Sequence, residues 1–120
     1  MLAHITTRQA WEDARSTGIY EADSLQTDGF IHCSAISAEQ LLAVADHAYA
    51  GQTGLVLLLV EPEVPNSELR YEKDEASGQS FPHVYGPIHF GAVVNVLDFP
   101  PQPDGTFRLP DLSLLAPSGS

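Results

Sequence analysis

The sequence predicts a single α+β domain, and three observations carry that expectation. Two amphipathic helical patterns come early, each opened by a capping signal and closed by a glycine. Several short strand-like runs surround and follow them, one of them the uniformly apolar LVLLLV. No βαβ repetition connects these runs, which separates the layout from parallel α/β folds. The 120 residues, 43% hydrophobic and 18% charged, suit one globular domain able to bury a core.

Residues 2–6 read as the first strand. Thr6 with Gln9 resembles a capping box, opening a helix in which Ala10, Trp11 and Ala14 share an apolar face; Gly18 stands where a glycine ends it. Residues 19–27 are turn-like, and residues 29–34 form the second strand. Ser37 with Gln40 repeats the cap, Leu41, Val44, Ala45 and Ala48 fall at i, i+3, i+4 and i+7, and Gly51 stops the second helix.

Residues 55–60 lack alternation, the pattern of a strand covered on both faces. Pro62 and Pro65 mark a turn-rich connection, and residues 69–72 alternate as a short strand before the polar loop KDEASGQS. Residues 81–85 form a further strand, which Pro82 restricts to an edge or an entry position. Residues 91–99 make the last strand. Five of the nine prolines then fall in residues 100–120. The domain is therefore expected over residues 1–99, with residues 100–120 as a tail packed on it or trailing from it. Phe107, Leu109, Leu112 and Leu115 are its anchors and PSGS its loose end.

Sixteen acidic against five basic residues give a formal charge of -11. Nucleic acid and anionic membranes are bound by clustered Lys and Arg, so neither is an expected partner. A lone cysteine rules out an intrachain disulfide and a Cys-based zinc cage. MLAHITTRQAWEDAR carries no signal-peptide pattern, and no apolar run is long enough to span a bilayer; the expected location is the cytoplasm. Dinucleotide-binding, phosphate-loop and hydrolase-elbow motifs are absent.

Side chains alternate across a strand, which sorts the polar residues into faces. In DGFIHCS, Ile31 and Cys33 share one face, and Phe30, His32 and Ser34 the other. His4 and Thr6 oppose Ala3 and Ile5; Arg70 and Glu72 oppose Leu69 and Tyr71; Phe81, His83 and Tyr85 oppose Pro82 and Val84. If these faces converge, they line a pocket rich in hydrogen-bonding groups. Each residue also has a plainer role: His32 as a buried histidine bonded to a carbonyl, Arg70 with Glu72 as a surface ion pair, His83 and Tyr85 as part of a rigid turn. Cys33 belongs to the core, and alternation points it away from His32, against a Cys–His nucleophile. His47 and His89 receive no function. His4, His32, His83 and Glu72 contain the ligand types for zinc, but no two stand at a local ligand spacing, and no metal site is assigned.

The pieces HIT, W-x-x-A-x-x-x-G-x-Y, DGFIHCS, the Gln40 helix, LLLV, LRYE and FPHVYGP resemble, in order and identity, the small bacterial proteins of domain of unknown function 952, over roughly residues 2–98. That family is similar to the ADP-ribosyltransferase superfamily. The resemblance implies a compact fold in which two small, mostly antiparallel sheets flank a nicotinamide-dinucleotide cleft, with two early helices. It also implies a histidine on an early strand (here His4), a Tyr or His on the next (here His32), and a catalytic glutamate on a late strand. The last strand offers only Asp98, and Glu72 lies earlier.

The implied function is a nucleotide-like binding cleft with NAD as candidate substrate and ADP-ribosyl or related glycosyl transfer as the reaction. Glu72, His32 and His83 are then the catalytic candidates. His4, Thr6, Ser34, Arg70 and Tyr85 are the candidates for substrate binding: ribose hydroxyls at His32 and Ser34, the base on Tyr85, a phosphate at Arg70. The alternatives are a non-catalytic small-molecule sensing or interaction domain that retains the cleft, and a metal-dependent hydrolase.

Overall fold

A computed structural model describes residues 1–64 and 67–110 of the chain. Pro65, Leu112, Leu115 and the PSGS end lie outside the described residues. The fold is α+β with three antiparallel sheets. The order is β1 (Leu2–Thr7), α1 (Arg8–Ala14), β2 (Ile19–Tyr20), α2 (Asp23–Thr27), β3 (Ile31–His32), β4 (Ser34–Ala35), a π-helical turn (Ala38–Leu42) running into α3 (Ala43–Ala48), β5 (Leu55–Val60), β6 (Glu68–Lys73), β7 (Ser80–Tyr85), β8 (Ile88–His89), a 3-10 turn (Phe90–Ala92) and β9 (Val93–Asp98). The sheets are β4-β1-β5-β9, β2-β8 and β3-β7-β6. The family resemblance implies two sheets; the described residues form three, and the two-residue strands of β2-β8 are too short to leave a periodic signature.

β5 is the spine, and every one of its residues is buried. Its six apolar side chains divide by alternation between two cores. Val56, Leu58 and Val60 join Leu2, Tyr20, Ile31, Cys33, Val84 and Ile88 on one side of the large sheet. Leu55, Leu57 and Leu59 join Ala3, Ile5, Leu41, Ala45, Phe99 and Phe107 on the other. The helix through Leu41 and Ala45 covers the second core, and α1 lays Ala10, Trp11 and Ala14 on the first. Phe107 stacks on Phe99 with ring centroids 4.8 Å apart, and its N–H donates to Asp46, so the chain beyond β9 packs back on the second core.

The helix caps are partly as expected. Ser37 accepts from the Gln40 N–H, and Gly18 (φ 74°) and Gly51 (φ 74°) follow the helices in the left-handed conformation. The first cap is Thr7, one residue later than expected, accepting from the Ala10 N–H at 3.0 Å; Thr6 remains inside the strand with its side chain buried. Residues 19–27 are not a simple turn, since they hold β2 and α2. No helix among the described residues is long and apolar enough to cross a membrane.

DGFIHCS is not one strand. Ile31 and His32 pair with Val84 and His83 in the three-stranded sheet, whereas Ser34 pairs with Ala3 in the four-stranded one. Cys33 is the crossing point, and its N–H donates to the Pro82 carbonyl at 3.1 Å. Pro82 is correspondingly not at an edge: β7 lies between β3 and β6. Proline is tolerated there because its missing N–H faces Cys33, where the neighbouring chain is already leaving the sheet.

The β7–β8 turn constrains Gly86, which has φ 143° and lies close against Ser67. An added Cβ would overlap the Ser67 hydroxyl, which is engaged with the Pro87 carbonyl at 2.6 Å. Gly78 also has positive φ, yet open space surrounds it. Gly86→Ala is therefore expected to cost about 1–3 kcal/mol more than Gly78→Ala, read as the difference in urea midpoints at constant m.

Candidate functional site

The polar faces meet in a cavity of about 700 Å³ between the large sheet and the three-stranded sheet. His4, Thr6, His32, Ser34, Glu72 and His83 line it. Arg70 and Tyr85 do not, although both belong to the layer behind Glu72. Register explains the convergence: His32 sits opposite His83, and His83 opposite Arg70, so β3, β7 and β6 present these side chains on one face. Ser34 arrives from the other sheet, brought beside them by the crossing at Cys33.

His4 is buried and bonded at both ring nitrogens. Nδ1 lies 2.6 Å from the His32 carbonyl and Nε2 2.9 Å from the Tyr20 hydroxyl. A carbonyl only accepts, so Nδ1 carries the proton. Desolvation lowers the pKa to about 4, against the opposing effect of the His32 carbonyl, so the ring is neutral and Nε2 accepts from Tyr20. The Thr6 hydroxyl, 2.9 Å from the Tyr20 oxygen, completes the chain by donating to it. Burial pushes Tyr20 up to about 12, which keeps it a donor. His4, Thr6 and Tyr20 are thus occupied with one another. Tyr20 was not singled out from the sequence, because its partners lie 14 and 16 residues away.

The opposite wall is built on Glu72. Tyr85 donates its hydroxyl to Glu72 Oε1 at 2.5 Å, and His83 donates Nδ1–H to the same oxygen at 2.8 Å. These two bonds, Tyr85 first, hold the Glu72 carboxyl below the usual carboxylate range. Phe30 stacks on His83 at 4.1 Å and 18°, fixing the ring plane. Among the described residues His83 Nε2 bonds nothing, and no buried side-chain nitrogen or oxygen is left unpartnered, so Nε2 opens on the cavity. His32 packs edge-on to His83 at 5.3 Å and bonds Asp28 at 2.9 Å. It is exposed, so the buried, carbonyl-bonded role weighed for it falls instead to His4. Arg70 pairs with Glu68 at 2.7 Å, not with Glu72, and its guanidinium lies 4.6 Å over the Tyr85 ring. Phe30 and Asp28 acquire their roles only through these pairings.

Residues 5–96 match the DUF952 family, described as a protein of unknown function. The chain belongs to the DUF952 family. It is similar to protein CC0527 from Caulobacter crescentus. The crystal structure of that protein is 32% identical, with TM-score 0.79 over 93% of this chain and 94% of that one. The solution NMR structure is 34% identical, with TM-score 0.75 over 89% and 90%. No curated protein matches.

Within this DUF952 chain, GFIHCS and FPHVYGP are neighbours in space: β3 and β7 are paired, and His32 and His83 are cross-strand partners. Cys33 sits in the core at 3% exposure, with burial pushing its thiol up to about 12, so it is not a nucleophile. The metal set considered from the sequence is not assembled. Among the described residues no three His, Cys, Asp or Glu side chains are grouped to hold an ion, and both nitrogens of His4 are already bonded.

Burial of neutral His4 makes stability depend on pH. The unfolded ring titrates near 6.5 and the folded one near 4, so between these values the unfolded chain binds more protons. The contribution is complete above about pH 6.5 and is lost as pH falls toward 4, with a span on the order of 3 kcal/mol. His4→Gln is expected to be less stable than the native chain at pH 7 but to lose stability less steeply between pH 6.5 and 5. Urea titrations across that range measure both effects.

Proposed function

We propose that the chain binds a small nucleoside-like molecule in this cleft and acts on its glycosidic bond, with Glu72 and His83 as the catalytic residues. The observation that supports this most is the unspent Nε2 of His83, on a ring fixed by Glu72 and Phe30, opening on a cavity of about 700 Å³. Cavities of about 300–1,000 Å³ hold small organic ligands. A glycosidic bond breaks through an oxocarbenium-like transition state, which a nearby carboxylate stabilises. Glu72 stays ionised because Tyr85 and His83 both donate to it. His83 Nε2 takes the proton of the attacking hydroxyl or water, and Glu72 balances the imidazolium that forms. His32 and the Ser34 hydroxyl then hold the sugar.

The likeness of the family to the ADP-ribosyltransferase superfamily carries this reading further, to NAD as substrate and ADP-ribose as the transferred group in a cytoplasmic protein. A glutamate in the cleft wall supports it. Two features limit it to the nucleoside end of NAD: His4 has no free nitrogen for a ribose, and Arg70 is held by Glu68 away from the cavity. The same two features favour a second reading, a non-catalytic sensing domain that retains the cleft.

Titration with NAD and with nicotinamide riboside, followed by NMR shifts at His83 and Phe30 and by chromatographic release of nicotinamide, tests both. For an enzyme, Glu72→Gln is expected to lower turnover about a hundredfold or more while binding changes only a few-fold. Binding without release in the native protein favours the sensor. No shift at His83 with either ligand at millimolar concentration removes the nucleoside reading.

A further inference from the structure

The charge of the cavity narrows the class of ligand, and the inference drawn from it rests on the reading of this cleft as a ligand site. Four carboxylates line the cavity, Glu21, Asp23, Glu72 and Asp74, against one ammonium, Lys73. The other basic side chains are elsewhere. Arg8 pairs with Asp98, Arg15 with Glu12 and Arg70 with Glu68, and Arg108 is absent from the lining. No glycine lines the cavity among the described residues, so no glycine-rich backbone is placed to cradle a phosphate.

The floor of the cavity is built differently from its rim. Ser34 is 5% exposed, and among the described residues its hydroxyl has no partner. Because no buried side-chain oxygen is left unbonded, that hydroxyl opens on the cavity, where it can bond a ligand. Tyr49 and Phe81 add aromatic faces to the walls.

Carboxylates clustered around a concave surface concentrate cations and repel anions, and aromatic faces attract a cation. A metal ion does not fit, since no three ligating side chains among the described residues are grouped to hold one. We infer that the cleft selects a small organic cation, a protonated amine or a quaternised heterocycle, over neutral and anionic molecules of the same shape. Its charge faces Glu21 and Asp74, and a hydroxyl or amide group meets Ser34.

Three molecules of one shape and different charge test this: tyramine, tyrosol and 4-hydroxyphenylacetate, titrated into the native protein at low salt with NMR detection at Tyr49, Phe81 and His83. Tyramine is expected to bind about tenfold or more tighter than the anion, several-fold tighter than tyrosol, and to weaken as salt is added. Glu21→Gln and Asp74→Asn are each expected to weaken tyramine about two- to fivefold and leave tyrosol unchanged. The inference is overturned if the anion binds as tightly as the cation, if none of the three shifts a cleft resonance, or if both variants bind tyramine as the native chain does. Adenosine titrated alongside separates the two ideas. Shifts with adenosine but not tyramine keep the nucleoside reading and sink the charge inference, whereas the reverse keeps the charge inference alone.

Discussion

One buried imidazole ties the three sheets together. His4 belongs to β1 of the large sheet, its Nδ1–H reaches the main chain of His32 in the three-stranded sheet, and its Nε2 accepts from Tyr20 in the two-stranded sheet. The pieces it joins are weak by themselves, because β2, β3, β4 and β8 are two residues each. A two-residue strand has little ladder of its own and depends on side-chain anchoring. Removing the ring would strand the His32 carbonyl, at about 1–3 kcal/mol, and leave the Tyr20 hydroxyl with Thr6 alone. The residue that sequence pattern offered as a ligand contact is therefore the one holding the walls of the cleft in place.

The cleft follows from that anchoring together with the crossing at Cys33. β5 supplies the apolar mass and buries both faces, so no part of it is available for chemistry. The polar side chains are instead carried by β1, β3, β4, β6 and β7, whose residues line the cavity. Glu72 and His83 are diagonal neighbours on β6 and β7 with Tyr85 and Phe30 behind them, and aromatic rings and shared hydrogen bonds fix this wall. Fixed donors and rings of this kind provide the preorganisation that recognition and catalysis both need.

Much of this was legible from local pattern. Period-two alternation sorted His4 from Ile5 and His83 from Val84, because the apolar face of each of those strands is buried; it also separated Glu72 from Tyr71, although Tyr71 is 62% exposed and no buried face lies behind that division. Gly18, Gly51 and the Ser37 cap marked helix ends for reasons confined to a few neighbouring residues. What stayed hidden depends on partners distant in sequence. Two residues such as Ile19–Tyr20 or Ile88–His89 cannot display a period, so the third sheet had no signal. Pro82 read as an edge marker because its tolerance depends on where Cys33 turns away. Arg70 was weighed against Glu72 by spacing alone, whereas Glu68 sits equally near on the same face and takes it. The full occupation of His4 was out of reach, since one of its partners is a main-chain atom that no side-chain pattern reports.

The crossing at Cys33 also makes this part of the chain intolerant of changes in length. Ile31 and His32 must face core and cleft in one sheet, and two residues later Ser34 must face the same cleft from another. A single residue added or removed between them would invert inside and outside on one side of the crossing. It would drive an imidazole into the apolar core or bring an isoleucine to the cavity wall. Substitution can vary the chemistry of this stretch one side chain at a time, but its spacing is fixed by two sheets at once.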